Sequence, residues 1–317
     1  MLNRTFGCVR VVWNRTLAAR HERYAAEGKS TSYAETDRAL TAMKKDPGLA
    51  FLSEVSSVPL QQALRHQHTA FSAYFARRAR YPRLKSRAGR QSAHYTRSAF
   101  AMCDGELRLA KMSTPLRFVW SWPEVDLTAL KPAMVIACRE PDGRWYVTFA
   151  LDTSAPEPLP EAGRAVGIDV GVMDFAVTSD GEKIVNPRLL DRKARNLARY
   201  QRRLARRRKG SANRVKAAAK VARAHRKVRS ARRDFLHRAS TRLVRENDII
   251  VIEDLNVAGM VRNRRLARAI SDCGWGEFRR QLAYKCARAG RELVVIDRWY
   301  PSSKTCVRHE AHCCIAR

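Results

Sequence analysis

The chain has 317 residues, 45% of them apolar, and carries 62 Lys and Arg against 30 Asp and Glu, a formal net charge of +32. The apolar share excludes a disordered chain, the length allows two domains with separate cores, and the lack of any run of about 18 apolar residues gives no membrane span to expect. The charge far exceeds what solubility requires, so a polyanion is the expected partner, nucleic acid being the commonest.

Helical periodicity runs over residues 8–27 and 33–45, with Ser32 as N-cap of the second. Asp46-Pro47 opens a further short helix with proline at its first position. Over residues 58–78, Leu60, Leu64, Phe71 and Phe75 fall near one stripe, an amphipathic helix whose stripe reads as core. From 77 to 90 the chain is basic and aperiodic, a loop that either faces nucleic acid or is a plain solvated linker. Asp104-Gly105, Asp142-Gly143 and Asp180-Gly181 are hairpin signals. Trp145, Val147, Phe149 and Leu151 share one strand face, and residues 93–151 read as mostly β. The proline-rich stretch 155–160 reads as a linker. Beyond it, strands over 164–171, 175–178 and 183–185 form an antiparallel meander. Residues 189–209 and 212–246 form two helices broken at Gly210-Ser211, an αα-hairpin. A strand over 249–252, a helix through 278–289 and a strand over 293–296 complete an α/β layer with a mixed sheet.

Two acids stand out. Asp169 lies inside the strand run Gly167-Ile168-Asp169-Val170-Gly171, and Glu253 ends the run Ile249-Ile250-Val251-Ile252. Neighbouring strands lie about 4.8 Å apart, so two such carboxylates can share hard divalent cations, Mg²⁺ or Mn²⁺ rather than zinc. The spacing alone also admits a strand-edge residue and a capping residue. Asp254 faces the opposite side if the strand continues, and Asp297, at the end of the last strand, is a candidate to approach the site. From Arg188 to Arg233 there are 20 Arg or Lys and one acid, Asp191, a charge that wraps all sides of two helices and calls for phosphates or counterions. Arg202, Arg203, Arg206, Arg207, Arg208, Lys209, Arg226 and Lys227 are the candidate contacts, to the backbone rather than to bases. His66 and His68, two apart on a helix, do not share a face and read as surface histidines. With no apolar signal core at the N-terminus, a cytoplasmic, nucleoid-associated protein is expected, its eight cysteines thiols or metal ligands rather than disulfides.

Residues 167–171 and Ile252-Glu253-Asp254-Leu255-Asn256 resemble the first two RuvC motifs of the TnpB (OrfB) family. Phe6-Gly7-Cys8-Val9-Arg10 with Trp13-Asn14, the segment 55–64, the basic hairpin, Asp234-Phe235-Leu236-His237 and Tyr300-Pro301-Ser302-Ser303-Lys304-Thr305-Cys306 are similar to further family segments in the same order. The resemblance implies a multi-domain α/β chain: a helical recognition part over 1–92, a β-barrel-like wedge part over 93–155, and a RuvC-like RNase H domain over 156–306 with the basic hairpin 189–246 inserted. It implies a transposon-encoded protein that binds a guide RNA from the transposon end and double-stranded target DNA. In that scheme Asp169 and Glu253 are two of three metal-holding catalytic carboxylates for Mg²⁺-dependent cleavage, and base pairing supplies the sequence specificity.

Two departures from the family pattern shape the expectation. The chain opens almost at the family's early helix. After Cys306 it lacks the Cys-x-x-Cys ribbon and the third catalytic aspartate, with His309 where the second cysteine is expected. Residues 307–317 therefore read as an aberrant tail, the chain as truncated at both ends, Cys306 as a remnant of a ribbon whose Zn²⁺ is absent, and cleavage as reduced or lost. The alternatives are a guided DNA binder that does not cut and a transposon remnant without function.

Overall fold

The computed structural model describes residues 1–152 and 156–297. The first helix, α1 (Leu2–Glu27), begins before residue 8 because Thr5 and Phe6 are buried, and Gly28 ends it with a left-handed φ of 66°. Ser32 caps α2 (Tyr33–Lys45) in a capping box: its hydroxyl accepts from the Glu35 N–H and the Glu35 carboxylate accepts from the Ser32 N–H. The Arg23 guanidinium beside Glu35 holds that carboxyl down to about 2. Asp46-Pro47 opens a 3₁₀ segment, Pro47–Glu54, and α3 (Ser57–Phe75) follows. Cys8, Val12, Leu40, Leu52, Leu60 and Leu64 form the core between these helices. Phe75 departs from the core expected of its stripe: it is 62% exposed, because α3 ends there and nothing from the next turn covers it. The basic loop that follows is no free linker. Trp13 Nε1 donates to the Arg83 carbonyl at 2.9 Å, and the Asn14 amide brackets the Lys85 backbone.

Five strands follow in this first unit: β1 (Gln91–Thr96), β2 (Phe100–Cys103), β3 (Glu106–Leu109), β4 (Met134–Arg139) and β5 (Trp145–Ala150). They form an antiparallel sheet in the order β1-β4-β5 and a separate β2-β3 hairpin, which share a core of Ala93, Tyr95, Leu107, Leu109 and Val135. The β2–β3 turn needs positive φ at both central residues, 50° at Asp104 and 76° at Gly105, which the Asp-Gly pair tolerates. Residues 110–133 contain no strand, so 93–151 is less β than expected. Pro115, Pro123 and Pro132 each remove a ladder donor there. Val147 and Phe149 pack inward as read, whereas Leu151 lies past the strand and is exposed.

The second compact unit begins at Ser154. Its proline-rich entry is clamped rather than loose: the Leu159 N–H donates to Ala289 O at 3.0 Å, and Arg291, nearly buried, donates to Pro160 O and pairs with Asp248. The elements are β6 (Ala165–Val170), β7 (Asp174–Thr178), β8 (Lys183–Val185), α4 (Leu189–Ala205), α5 (Ala212–Glu246), β9 (Ile249–Glu253), α6 (Val257–Met260), α7 (Ala267–Cys273), α8 (Trp275–Ala289) and β10 (Glu292–Ile296). The sheet runs β8-β7-β6-β9-β10, with β6, β9 and β10 parallel and β7 antiparallel to β6 and β8, the mixed α/β layer expected. Ile168, Phe175, Ile250 and Ile252 meet Leu236 and Leu243 of α5 and Phe278 and Leu282 of α8. Phe278 is fully buried and meets Phe175 edge to face at 5.0 Å. Phe278→Ala is expected to cost about 3–5 kcal/mol, read as a lower urea midpoint. A change under about 1 kcal/mol would mean the cavity refills.

Among the described residues no helix is long and apolar enough to cross a membrane. Cys8, Cys103, Cys138, Cys273 and Cys286 are free thiols, all but Cys103 buried.

Candidate nucleic-acid and metal site

β6 and β9 run side by side in parallel, with Val166 opposite Ile250 and Ile168 opposite Ile252. Those four apolar residues face the core, and strand alternation sends the next residues, Asp169 and Glu253, to the other face. The Asp169 carboxyl is pushed above the usual carboxylate range, first by partial burial and then by the negative charge of Glu253. Gly171 closes the turn into β7: its N–H donates to Phe175 O, and a Cβ there would stand 3.0 Å from the Asp174 carbonyl. Asn186 donates to the Val172 carbonyl at 2.7 Å and so supports the same turn.

The donor set fits a hard divalent cation as far as two carboxylates can, since a cation would offset the partial burial and the Glu253 charge that raise Asp169. Among the described residues no group of three or more His, Cys, Asp or Glu could hold a metal. Asp254 pairs with Arg279, away from that role. Asp297 follows Ile296, the partner of Glu253 on β10, and is exposed. Cys306 and the segment 307–317 lie outside the described residues.

The hairpin of α4 and α5 is held by buried chemistry at its root. Arg188 precedes α4 with a left-handed φ of 44° and gives no side-chain cap. Asp272 of α7 supplies one instead: it accepts from the Leu190 N–H at 2.7 Å and from Arg232 of α5 at 2.7 Å. At the tip, Arg214 donates to the carbonyls of Leu204 and Arg207, so this arginine closes α4 rather than facing solvent. α4 stops at Ala205, not at 209, and Arg206, Arg207, Arg208 and Lys209 lie in the exposed turn. The charge does not wrap every side: Leu197 and Val228 are buried, leaving an apolar seam between the helices.

Along that hairpin run two basic grooves. One, of about 440 Å³, is lined by Lys193, Arg199, Tyr200, Arg203, Lys220, Arg223 and Lys227 among others. The next, of about 450 Å³, adds Arg207 and Lys216. No acid lines either groove. Of the residues singled out from sequence, Arg203, Arg207 and Lys227 line these grooves. Arg202, Arg206, Arg208 and Lys209 are exposed outside them, and Arg226 is half-buried. Sequence reasoning missed Lys193, Arg199, Tyr200, Lys216, Lys220 and Arg223. The signal was present, since 193, 200 and 203 on α4 with 207 just past its end, and 216, 220, 223 and 227 on α5, recur at three, four and seven residues. His66 and His68 are exposed on α3, each meeting a different ring edge-on, His94 and Tyr33.

Comparison with known proteins gives three family matches. Residues 148–264 match the OrfB family of IS605, described as "Probable transposase", residues 1–29 a helix-turn-helix domain of the same family, and residues 275–315 a Cas12f1-like TNB domain. A "Putative RNA-guided DNA endonuclease" of Streptomyces pristinaespiralis is 53% identical over 307 residues, covering 96% of this chain and 75% of that relative. The "Putative RNA-guided DNA endonuclease InsQ" of Escherichia coli K12 is 30% identical over 319 residues, covering 96% and 78%. Among solved structures, the Cas12f1–sgRNA–target DNA complex matches with a TM-score of 0.55 at 12% identity, over 96% of this chain and 74% of that one, a likeness of fold.

Proposed function

The chain belongs to the TnpB (OrfB) family of IS605-type elements, and from that premise we propose that it is a transposon-encoded, RNA-guided DNA nuclease. The observation that carries the reading is the Asp169–Glu253 pair on adjoining strands β6 and β9, on the sheet face opposite the core. In this reading the second unit is a RuvC-like RNase H domain, and Asp169 and Glu253 hold Mg²⁺ or Mn²⁺. The bound cation supplies water activation and stabilisation of the leaving oxygen. The hairpin arginines grip a guide RNA or its heteroduplex with target DNA through phosphates, and pairing of guide with DNA selects the sequence. The protein then works in the cytoplasm, at the nucleoid. A second reading, guided binding without cutting, is favoured by one observation: the described residues gather two carboxylates at the site, not three.

The test is to co-express the chain with RNA transcribed from the end of its own element. The purified complex is then incubated with matched double-stranded DNA, with Mg²⁺ or with EDTA. Co-purified RNA and Mg²⁺-dependent, guide-matched cutting are expected, against the loss read from the sequence, because the match to the Cas12f1-like TNB domain continues to residue 315. RNA-dependent binding without cutting selects the second reading. A protein that carries no RNA and shifts no oligonucleotide even at low salt ends both.

A further inference from the structure

A cavity of about 710 Å³ opens in the first unit, far along the chain from the acids and the hairpin. Its volume falls in the range of small-ligand sites. Arg20, Tyr24, Thr31, Tyr74, Phe75 and Tyr81 are among its lining residues. The walls are aromatic. Tyr81 meets Tyr74 edge-on at 5.3 Å, and Tyr74 meets Phe75 at 5.4 Å. Tyr24 is 60% exposed and Phe75 62%, a large apolar display for a helix end and its neighbour.

Two of the lining residues carry buried polar atoms without a partner. Arg20 is 7% exposed, its Nη1 donates to the Thr31 carbonyl, and its guanidinium lies over the Phe71 ring. Its Nε and Nη2 find no acceptor in the protein, and the Thr31 hydroxyl of the same lining has no partner either. The segment between Phe75 and Tyr81, two of the lining residues, is cationic, and the one acid in the lining, Glu35, is paired with Arg23. Arg77 turns back with a left-handed φ of 56°, and Arg77, Arg78 and Arg80 are all exposed.

Exposed aromatic faces beside a run of exposed arginines are together the chemistry that holds one unpaired nucleobase and its flanking phosphates. We propose that this cavity captures a single unstacked base of a bound nucleic acid strand. Tyr74 and Phe75 supply the stacking surface, and the arginines after α3 hold the backbone. The inference rests on the nucleic-acid reading of the chain, but on residues that reading does not use.

The test uses the full chain and single-stranded oligonucleotides carrying one 2-aminopurine, as RNA and as DNA, titrated at several salt concentrations. Quenching of the 2-aminopurine is expected on binding. Phe75→Ala and Tyr74→Ala should each weaken binding roughly 5- to 150-fold, the effect of losing one stacked base, with the salt slope unchanged because no phosphate contact is lost. Phe75→Trp keeps a stacking face and should retain wild-type binding, which separates stacking from misfolding. The RNA and DNA arms show which strand supplies the base. If wild type binds while both alanine variants match it in affinity and quenching, the cavity proposal falls and the hairpin reading stands. If wild type binds neither oligonucleotide, both fall.

Discussion

Replacing Arg202, Arg203, Arg206, Arg207 and Arg208 together by glutamine is expected to lower nucleic-acid affinity for every sequence and to flatten its salt dependence. Each lost phosphate contact removes about 0.7–0.9 from the slope of log affinity against log salt, so five contacts remove up to about 4.5. All five are exposed on the last turn of α4 or the turn after it, and Arg203 and Arg207 line the grooves. The hairpin itself should survive, because its ties run through other residues: Asp272 to Leu190 and Arg232, and Arg214 to the end of α4. Binding isotherms from 50 mM to 500 mM salt decide the matter. Loss confined to one target sequence, or an unchanged slope, would show that these arginines do not meet phosphates.

Asp169→Ala is expected to reduce Mg²⁺-dependent cutting by about 10³-fold or more, several kcal/mol of transition-state stabilisation, while guide RNA still co-purifies. A titration with Mn²⁺ gives a readout that needs no activity, and Asp169→Asn should weaken binding. Stability adds a check with a definite sign. The folded carboxyl of Asp169 is raised above its unfolded value by partial burial and Glu253. It therefore contributes stability below the ordinary carboxylate range, and that contribution is lost as pH rises through the raised folded value. Without metal, Asp169→Asn should then melt higher than wild type at neutral pH, and the difference should shrink in acid. Cutting and Mn²⁺ binding unchanged by either substitution would remove Asp169 from the site.

Local chemistry was legible where a few neighbours settle it. Ser32 with Glu35 announces the start of α2, and Gly210-Ser211 announces the break between α4 and α5. All three Asp-Gly pairs occupy hairpin turns, since those residues tolerate the positive φ such turns require. Asp169 and Glu253 were legible as acids on strands because apolar runs make a carboxylate conspicuous. Phe75 misled for the opposite reason: periodicity marks a stripe but does not say where its covering partner ends. The proline-rich stretch misled as well, because its composition cannot reveal that Arg291 would grip Pro160.

By itself the sequence determined the strong cationic balance, the order of strands and helices, the acids on strands and the family. Each depends on residue identity and short-range spacing, which folding does not alter. Only the tertiary structure decided that β6 lies beside β9, which sets Asp169 next to Glu253 across 83 intervening residues. It also decided which basic side chains share a groove, and that Tyr24, Tyr74, Phe75 and Tyr81 line one cavity. Pairing of distant strands and closure of a cavity follow from packing a whole core, where the competing arrangements differ by sums over many contacts that no local pattern encodes.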